Sequence, residues 1–302
     1  MAHSAGIGGV ELSHPDKLLF PKDGFTKADL AEYYATVAAF MLPHLADRPI
    51  TMVRCPGGIG KRCFFQKHPS EGMAESAERI AIAEETGTRD YLIVRDPRDL
   101  VELVQFDTIE IHGWGATRRD LERPDRVIFD LDPGPGVEWS VVVDTAITTR
   151  GLLAVLDLES FVQTTGGKGL HVLAPIRPHY TWPTIKSFAR SIAEQIAVTA
   201  PDRYTTTAAK AARKGRIFID YLRNARGATA VAPYSVRARA GVPVATPLDW
   251  DELPSLTGGS QFTAMNMRDR LSGLREDPWV AVSTTSQGLT ARMLTKVGIP
   301  VD

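Results

Sequence analysis

Residues 126–136 read RVIFDLDPGPG, an apolar run that leads into two aspartates and then into a turn. The run predicts a buried strand over residues 126–131, ended by the Pro-Gly-Pro-Gly that follows. Side chains of a strand alternate between its two faces, so Asp130 and Asp132 are expected on one face and their apolar neighbours on the other. Two neighbouring carboxylates repel each other unless a cation lies between them, and the stretch therefore predicts a divalent metal site. The alternative is an Asp pair that only caps a turn.

Beyond this strand, the sequence alternates between helix and strand patterns. Amphipathic helices are predicted over residues 140–156 and 184–200, and strands over residues 160–164, 170–176 and 216–222. This order, β-α-β-turn-β-α-β, predicts an α+β fold in which two helices cover a sheet with antiparallel strands, close to ferredoxin-like folds.

The segment before residue 126 has helix and strand patterns as well. Thr26 is a predicted N-cap for a helix that runs to Pro43, with apolar residues at helical spacing between them. Residues 48–54 predict a short strand, and residues 91–111 predict a strand, a turn and a short helix.

Asp220 lies in the predicted strand 216–222, which is otherwise built for burial. Burying a lone carboxylate costs on the order of several kcal/mol, so this residue is expected to be paired or bound to a metal. Three aspartates on adjacent strands match a phosphoryl-transfer site with two metal ions about 3.5–4 Å apart. In such a site one ion activates a hydroxyl nucleophile while the other holds the triphosphate and the leaving group.

Residues 164–171 read TTGGKGLH and predict a glycine-rich hairpin. Its backbone N–H groups would suit phosphate oxygens, and Lys168 adds positive charge. The glycine spacing is not that of a Walker loop, and a strand follows where a Walker loop has a helix. An ordinary tight turn is the alternative for the glycines, and a hydrogen-bonded structural histidine is the alternative for His171.

Other side chains are weaker candidates, each with a core or surface alternative. His112 lies at a strand end, and Arg237 and Arg239 are suited to clamp a triphosphate. Phe64 and Phe65 are suited to base stacking, and Lys67 beside them to a phosphate contact.

Composition is that of a globular protein, with 43% hydrophobic and 24% charged residues and a net charge of −1. The charge is uneven, since residues 71–110 hold eleven acids and four bases, whereas residues 203–239 hold nine bases and one acid, Asp220. This pattern suggests a polyanion held beside a metal, with an unevenly charged solvated surface as the alternative.

No apolar run approaches the roughly 18 residues that span a bilayer, and the N-terminus lacks a signal-peptide pattern. Cys55 and Cys63 have no zinc-ligand spacing, so reduced thiols in a cytoplasmic protein are expected.

Taken together, the motifs resemble the polymerase domain of bacterial DNA ligase D, a branch of the archaeo-eukaryotic primase superfamily. The matching stretches follow the family's order from Leu12 to Leu253: DKLLFPKDGFTKADL, RCPGG, CFFQKHP, IEIHGWG, RVIFDLDPGPGVEW, TTGGKGLHVLAPI, IFIDYLRNARGATAVAPYSVRAR and TPLDWDEL. The resemblance implies a primase-polymerase core with a ferredoxin-like sheet, merged with an N-terminal α/β subdomain. One domain over residues 1–302 is expected, with a subdomain boundary near residue 115 and intertwined parts.

The resemblance also implies roles for individual residues. Asp130, Asp132 and Asp220 would hold two metal ions, with manganese favoured over magnesium. Contacts with the incoming nucleotide fall to Phe64, Phe65, His112, Thr165, Lys168, His171, Arg223 and Arg237. Contacts with DNA, including a pocket for the 5′-phosphate at the downstream edge of a gap, fall to His14, Lys17, Lys27, Arg54 and Lys67. His14 stands where some relatives have Asn, and Thr165 where Ser is common.

The implied activity is template-dependent extension of primer 3′ ends during gap filling or break repair, with a preference for ribonucleotides. DNA and nucleoside triphosphates are the expected partners, together with a Ku-like end-binding protein and a DNA ligase, in a nucleoid-associated protein. Because the matched stretches contain no ligase or nuclease module, both an excised domain and a stand-alone relative stay open. The alternatives are a phosphatase of the haloacid-dehalogenase type, whose strand also ends in a D-x-D, and a nucleic-acid-binding module without catalysis.

Overall fold

The computed structural model describes residues 4–300 and divides into two compact units. Unit 1 comprises Met1–Trp114, Thr229–Ala245 and Phe262–Arg275, and unit 2 comprises Gly115–Ala228, Thr246–Gln261 and Glu276–Asp302. Each unit is therefore built from separate stretches of the chain. The prediction of a single domain with a boundary near residue 115 stays a prediction.

The described residues form sixteen strands, six α-helices and three 3-10 helices. The strands are β1 (Ser4–Ile7), β2 (Val10–Ser13), β3 (Leu18–Phe20), β4 (Phe25–Thr26), β5 (Ile50–Arg54), β6 (Phe64–Gln66), β7 (Glu78–Glu84), β8 (Gly87–Ile93), β9 (Thr108–Trp114), β10 (Arg126–Pro133), β11 (Phe161–Thr164), β12 (Leu170–Pro175), β13 (Tyr204–Thr205), β14 (Ile217–Asp220), β15 (Thr229–Val231) and β16 (Pro247–Leu248). The α-helices are α1 (Lys27–Leu45), α2 (Pro97–Gln105), α3 (Trp139–Ala154), α4 (Trp182–Thr199), α5 (Met267–Gly273) and α6 (Ala291–Lys296), and the 3-10 helices are η1 (Lys210–Arg213), η2 (Leu253–Ser255) and η3 (Val280–Ser283).

Unit 2 is organised around a sheet with the strand order β13-β14-β10-β12-β11-β16. The apolar run quoted first forms β10, which lies inside this sheet and pairs antiparallel with both β12 and β14. Its neighbours explain why Val127, Phe129 and Leu131 are fully buried. The α+β prediction is confirmed, and the narrower ferredoxin-like assignment stays a prediction.

A side chain beyond the end of β14 fastens the chain back onto β10. The Asn224 side-chain amide donates to the carbonyl oxygen of Ile128 at 2.7 Å and accepts from the Ile128 N–H at 2.9 Å. Asn224 is 2% exposed, so water does not reach these backbone groups. The two hydrogen bonds of the Asn224 amide therefore satisfy the N–H and the carbonyl oxygen of Ile128. It fixes the chain just after Asp220 against the centre of the sheet.

Unit 1 is organised around a second sheet, with the order β15-β9-β5-β8-β7 and β6 paired to β5. Helix α1 contributes to its core, and it begins where the sequence predicts, with a capping box between Thr26 and Asp29. Buried Leu30, Tyr34 and Val37 lie one turn apart on its inner face.

The structure corrects the boundaries of several predicted elements, among them the strand predicted over residues 216–222, which covers Ile217–Asp220. Helix α1 runs through Pro43 to Leu45 instead of ending at the proline, because a proline in the last turn removes only one hydrogen bond while His44 and Leu45 become buried. Strand β10 runs through Asp132 to Pro133, because Asp132 pairs with Phe218 and Pro133 with Ile217.

The expectation of two reduced thiols is wrong in this structure, where Cys55 and Cys63 form a disulfide. Cys55 directly follows β5 and Cys63 directly precedes its partner β6. The hairpin brings their Cα atoms to 4.3 Å, which spacing along the sequence does not reveal.

Candidate active site

A row of polar side chains crosses the sheet of unit 2. In the strand register Asp130 is the partner of both Asp220 on β14 and His171 on β12, and His171 is the partner of Gln163 on β11. Directly paired residues of neighbouring strands lie on the same face of a sheet. Four polar residues on successive strands therefore share one face, although their strands are otherwise apolar.

The three aspartates of the predicted metal site converge on this face. Asp130, Asp132 and Asp220 each offer a carboxylate oxygen within 4.8 Å of the other two. Asp130 and Asp220 are buried, and Asp132 is partly exposed at the strand end. The alternation of β10 thus places both of its carboxylates where strand geometry predicts, and the β14 register adds the third.

Burial and neighbouring charges shift the pKa values of these carboxylates in different directions. Burial and the charge of Asp130 raise the pKa of Asp132, and burial raises the pKa of Asp220. Burial alone would also raise the pKa of Asp130, but the charges of His171 and Arg223 and their hydrogen bonds bring it below the ordinary value. The cluster holds more negative charge than its neighbours fully neutralise, which is the electrostatic setting of a cation site.

Two arginines supply positive charge to the cluster. Arg223 lies between two aspartates, with Nη2 3.1 Å from Asp130 Oδ2 and Nε 3.4 Å from Asp220 Oδ2. Arg213 lies 3.7 Å from Asp132 Oδ2, and its guanidinium stacks over the Phe218 ring at 4.0 Å. Arg223 is 40% exposed at the side chain, so part of it borders solvent.

His171 is held between the amide of Gln163 and the carboxylate of Asp130. The Gln163 Nε2 lies 3.1 Å from Nδ1 of the imidazole, and the imidazole Nε2 lies 3.5 Å from Asp130 Oδ1. This histidine is 4% exposed. The row therefore ends in a hydrogen-bonded pair that fixes how the imidazole faces the carboxylates.

The glycine-rich hairpin between β11 and β12 lies beside the end of β10. Its turn is closed by Thr165, whose N–H and hydroxyl both donate to the carbonyl oxygen of Gly169 at 3.1 Å. A Cβ on Gly169 would lie 2.3 Å from the backbone oxygen of Leu131, so only glycine allows this approach. The hairpin brings buried Thr165 and exposed Lys168 close to the strand that carries Asp130 and Asp132.

The donor set of the cluster suits a hard divalent cation. Its three carboxylates are the oxygen ligands that magnesium and manganese prefer. Asp130 Oδ1 is buried and, apart from the 3.5 Å contact with His171, receives no hydrogen bond from residues 4–300. A buried carboxylate oxygen without a full set of donors fits a ligand position for a cation.

In unit 1, His112 and Arg237 converge on a third residue, Glu110. His112 Nε2 is 2.8 Å and Arg237 Nε is 3.1 Å from Glu110 Oε2. The Phe65 ring meets the His112 imidazole edge-on at 5.6 Å, and Phe64 and Phe65 are exposed by 38% and 50%. These predicted nucleotide contacts thus lie together around the β9–β5–β6 part of the sheet.

Two of the predicted DNA-contacting lysines also lie in unit 1: Lys17 directly precedes β3, and Lys27 is the first residue of α1. Lys17 Nζ forms an ion pair with Asp107 Oδ2 at 2.7 Å, and Lys27 Nζ donates to the carbonyl oxygen of Gln105 at 2.7 Å. Lys27 is 3% exposed, and burial lowers its pKa. His14 is exposed in a left-handed conformation with φ of 55°, and its carbonyl oxygen accepts from the Lys17 N–H.

Arg54 and Lys67 complete the predicted DNA contacts. Arg54 Nε donates to the carbonyl oxygen of Phe106 at 2.7 Å, and its guanidinium lies 5.6 Å from the centre of the Phe64 ring. Lys67 is exposed directly after β6. Arg54 therefore packs against Phe64 and is bound to the backbone, whereas Lys67 faces solvent.

Sequence reasoning missed several partners of the predicted residues: Gln163, Arg213, Glu110 and Asp107. Glu110 could have been found from strand alternation, since it stands two residues before His112 on one face of β9. Arg213 lies in the basic stretch already noted, but nothing in the sequence singles it out. Asp107 becomes a partner of Lys17 only through the fold.

Comparisons with known proteins show the family of this chain. The family model for the LigD primase-polymerase domain matches residues 26–279. The multifunctional non-homologous end joining protein LigD of Pseudomonas aeruginosa is 39% identical over 298 residues, covering 98% of this chain and 36% of that protein. The protein of the same name from Mycolicibacterium smegmatis is 36% identical over 246 residues, covering 81% of this chain and 32% of that protein. The chain thus spans about a third of the length of these curated relatives.

A solved structure is similar in fold as well. The polymerase domain of Mycobacterium tuberculosis ligase D, solved in complex with DNA, superposes with a TM-score of 0.84 at 32% identity, covering 91% of this chain and 98% of that one. The family model covers the triad, the glycine-rich hairpin and Arg237 within one continuous match. The chain belongs to the family of LigD primase-polymerase domains, which are DNA-directed nucleotidyltransferases.

Proposed function

We propose that this protein is a template-dependent polymerase that extends primer 3′ ends at gaps or breaks in DNA during non-homologous end joining. The observation that carries the proposal is the convergence of Asp130, Asp132 and Asp220 within 4.8 Å on one face of the sheet. The complex of the Mycobacterium tuberculosis relative with DNA supports DNA as the partner. The proposed role places the protein at the nucleoid, with a Ku-like end-binding protein and a ligase acting on the same ends.

The three aspartates are proposed to hold two divalent cations, with manganese favoured. Cations held there would supply Lewis-acid chemistry, lowering the pKa of an attacking hydroxyl and neutralising charge on a triphosphate. Asp130 and Asp220 suit this role because they are buried on rigid central strands, which hold carboxylates in place more firmly than a loop does.

Nucleotide contacts are proposed for side chains of each unit. In unit 2 the triphosphate contacts are Thr165, Lys168, His171 and Arg223. The Gln163 side chain holds the His171 imidazole in place through its contact with Nδ1. In unit 1, Phe64 or Phe65 stacks on the base, His112 contacts the sugar and Arg237 contacts phosphate. A preference for ribonucleotides is part of this proposal.

DNA contacts are proposed for the lysines and their neighbours. Lys17 and Lys27, with His14, form the pocket for a downstream 5′-phosphate. Arg54 and Lys67 contact the template or primer backbone. Lys17 is 31% exposed at the side chain, so a phosphate can replace Asp107 as its ion-pair partner. Lys27 is buried, so it contributes its positive charge from beneath the surface of the pocket.

Primer extension on a gapped duplex with a downstream 5′-phosphate tests the proposal, with ribo- and deoxynucleotides compared in manganese and in magnesium. We expect extension by the wild-type protein, faster with ribonucleotides and manganese, and its loss in Asp130→Ala. Asp144→Ala, which removes an exposed aspartate from α3, is the matched control and should extend normally. Equal extension by Asp130→Ala and the wild type would show that the metal assignment is wrong.

A further inference from the structure

Glu110 is a buried acid whose carboxylate contacts two of the proposed nucleotide-binding side chains. It lies on β9, is 6% exposed, and stands two residues before His112, so both side chains project from the same face of the strand. Its Oε2 is 2.8 Å from His112 Nε2 and 3.1 Å from Arg237 Nε. One oxygen atom therefore forms a hydrogen bond with an imidazole and an ion pair with a guanidinium.

The second oxygen of this carboxylate binds backbone. Oε1 accepts the N–H of Ala238 at 2.9 Å, directly after Arg237. Burial would raise the pKa of Glu110, but the hydrogen bond from His112, the charges of Arg237 and His112, and the Ala238 N–H together hold it at about 2. The group is thus a carboxylate at any pH at which the protein would act.

The backbone beside Arg237 has anchors that do not involve Glu110. The Tyr34 hydroxyl accepts the Val236 N–H at 3.2 Å and donates to the Ile109 carbonyl oxygen at 2.6 Å. The Ser235 hydroxyl accepts the Ile111 N–H at 2.9 Å. These bonds already fasten residues 235–236 to β9, so a carboxylate is not required merely to hold this segment in place.

What Glu110 adds is orientation of the two functional side chains. The ion pair keeps the Arg237 guanidinium beside the carboxylate, with Nε 3.1 Å from Oε2, and so limits where its N–H groups can point. An imidazole bound through Nε2 to a carboxylate has its ring position and tautomer set by that bond. The Phe65 ring packs edge-on against the same imidazole, so its position relative to Phe65 depends on the bond too.

We propose that Glu110 is a positioning residue for the incoming nucleotide, because it holds His112 and Arg237 in the orientation that receives sugar and triphosphate. The inference rests on the proposed function, in which both side chains contact the nucleotide. It adds a residue that touches neither substrate nor metal and acts through its two partners. Held in place beforehand, these partners lose less conformational entropy when the nucleotide binds.

Glu110→Gln tests this role with little change in shape. The amide oxygen can still accept the Ala238 N–H, while the charge that orients Arg237 is lost. Tyr34→Phe is the matched control, since it removes a buried anchor of the same segment without touching His112 or Arg237. In steady-state primer extension we expect the KM for the nucleotide to rise at least about tenfold in Glu110→Gln, and less than about threefold in Tyr34→Phe. Melting temperatures of both variants are measured alongside.

A double-mutant cycle shows whether Glu110 acts through its partner. In an Arg237→Gln background, Glu110→Gln should raise the KM further by less than about twofold. An equal KM effect in both backgrounds, an unchanged KM, or a KM change that tracks the loss of melting temperature in both variants would overturn the inference. Absence of extension by the wild-type protein itself would instead refute the proposed function, and the inference with it.

Discussion

Asp130 and Asp220 are direct partners in the antiparallel register of β10 and β14, and Asp132 lies two residues further along β10 on the same face. Buried like charges at this distance destabilise a fold unless a cation joins them. Arg223 lies beside both members of the pair and Arg213 beside Asp132, yet the pKa values of Asp132 and Asp220 stay raised. Repulsion among the three carboxylates therefore lowers the stability of the metal-free protein, a cost that functional sites commonly carry.

The first prediction concerns this stored repulsion. Asp132→Asn removes one charge while keeping the shape, so we expect the metal-free variant to melt at a higher temperature than the wild-type protein in chelator. Manganese should raise the melting temperature of the wild type and have little effect on the variant, because ligand binding stabilises only a fold that binds the ligand. Thermal unfolding with and without manganese measures both effects.

Asp144→Asn serves as the control for removing a charge. This residue lies on α3, with its side chain 62% exposed and 3.5 Å from Arg203. Its substitution should leave the manganese response intact. A lower melting temperature of Asp132→Asn in chelator would contradict the repulsion argument.

The second prediction concerns the acid stability that Glu110 contributes. Its pKa is about 2 in the folded protein and 4.5 ordinarily. A lowered pKa means that the unfolded chain binds the proton more readily, so the contribution is complete above about pH 4.5 and declines as the pH falls towards 2. Since each pKa unit corresponds to about 1.4 kcal/mol, the contribution is roughly 3 kcal/mol.

Denaturant unfolding of the wild type and Glu110→Gln across this pH range measures the effect. We expect the wild type to be the more stable protein at pH 7 and the difference to shrink as the pH approaches 2. A difference that does not change with pH would mean that Glu110 contributes packing and no charge-dependent stability.

Much of this fold can be predicted from local sequence patterns, because a strand's alternation or a helix cap depends only on residues close together in the sequence. The alternation in β10 places Asp130 and Asp132 on one face, and Thr26 begins α1 as its side-chain chemistry requires. The partnership of Asp220 with Asp130 depends on strand register, which is set by packing over long separations in sequence. The disulfide between Cys55 and Cys63 and the ion pair of Lys17 with Asp107 depend on tertiary contacts in the same way.

The third prediction concerns the turn that ends β10. A Cβ on Gly134 would lie 1.7 Å from the carbonyl oxygen of Arg213, so Gly134→Ala must displace the chain that positions Arg213 beside Asp132. We expect a loss of roughly 1–3 kcal/mol in unfolding free energy, as for other overpacked sites, together with reduced primer extension. Denaturant unfolding and extension assays measure the two effects.

Gly151→Ala is the matched control for this substitution. Gly151 lies within α3, and a Cβ there meets no atom within 4 Å. Alanine in a helix interior is favoured over glycine by roughly 0.5–1 kcal/mol, so this variant should be as stable as the wild type or more so. Equal behaviour of the two alanine variants would show that the chain at residues 213–216 yields without cost.

The fourth prediction separates the two lysines of the proposed phosphate pocket. Lys17 is 31% exposed in an ion pair, and such pairs contribute about 0–1 kcal/mol, so Lys17→Ala should fold with nearly wild-type stability. It should nevertheless lose most of the preference for gapped DNA with a downstream 5′-phosphate over the 5′-hydroxyl form. Fluorescence anisotropy with the two duplexes measures the preference, and thermal unfolding measures stability.

Asp107→Asn provides the opposite test of the same pocket, because it removes the carboxylate that competes with phosphate for Lys17. We expect a stronger preference for the 5′-phosphate, by severalfold at low salt, since exposed charge interactions weaken as salt screens them.

Lys27→Ala should lose both the preference and stability, because this lysine is 3% exposed and donates to the carbonyl oxygen of Gln105 at the end of α2. If Lys17→Ala keeps the full preference while Asp107→Asn leaves it unchanged, the downstream phosphate binds elsewhere on the protein.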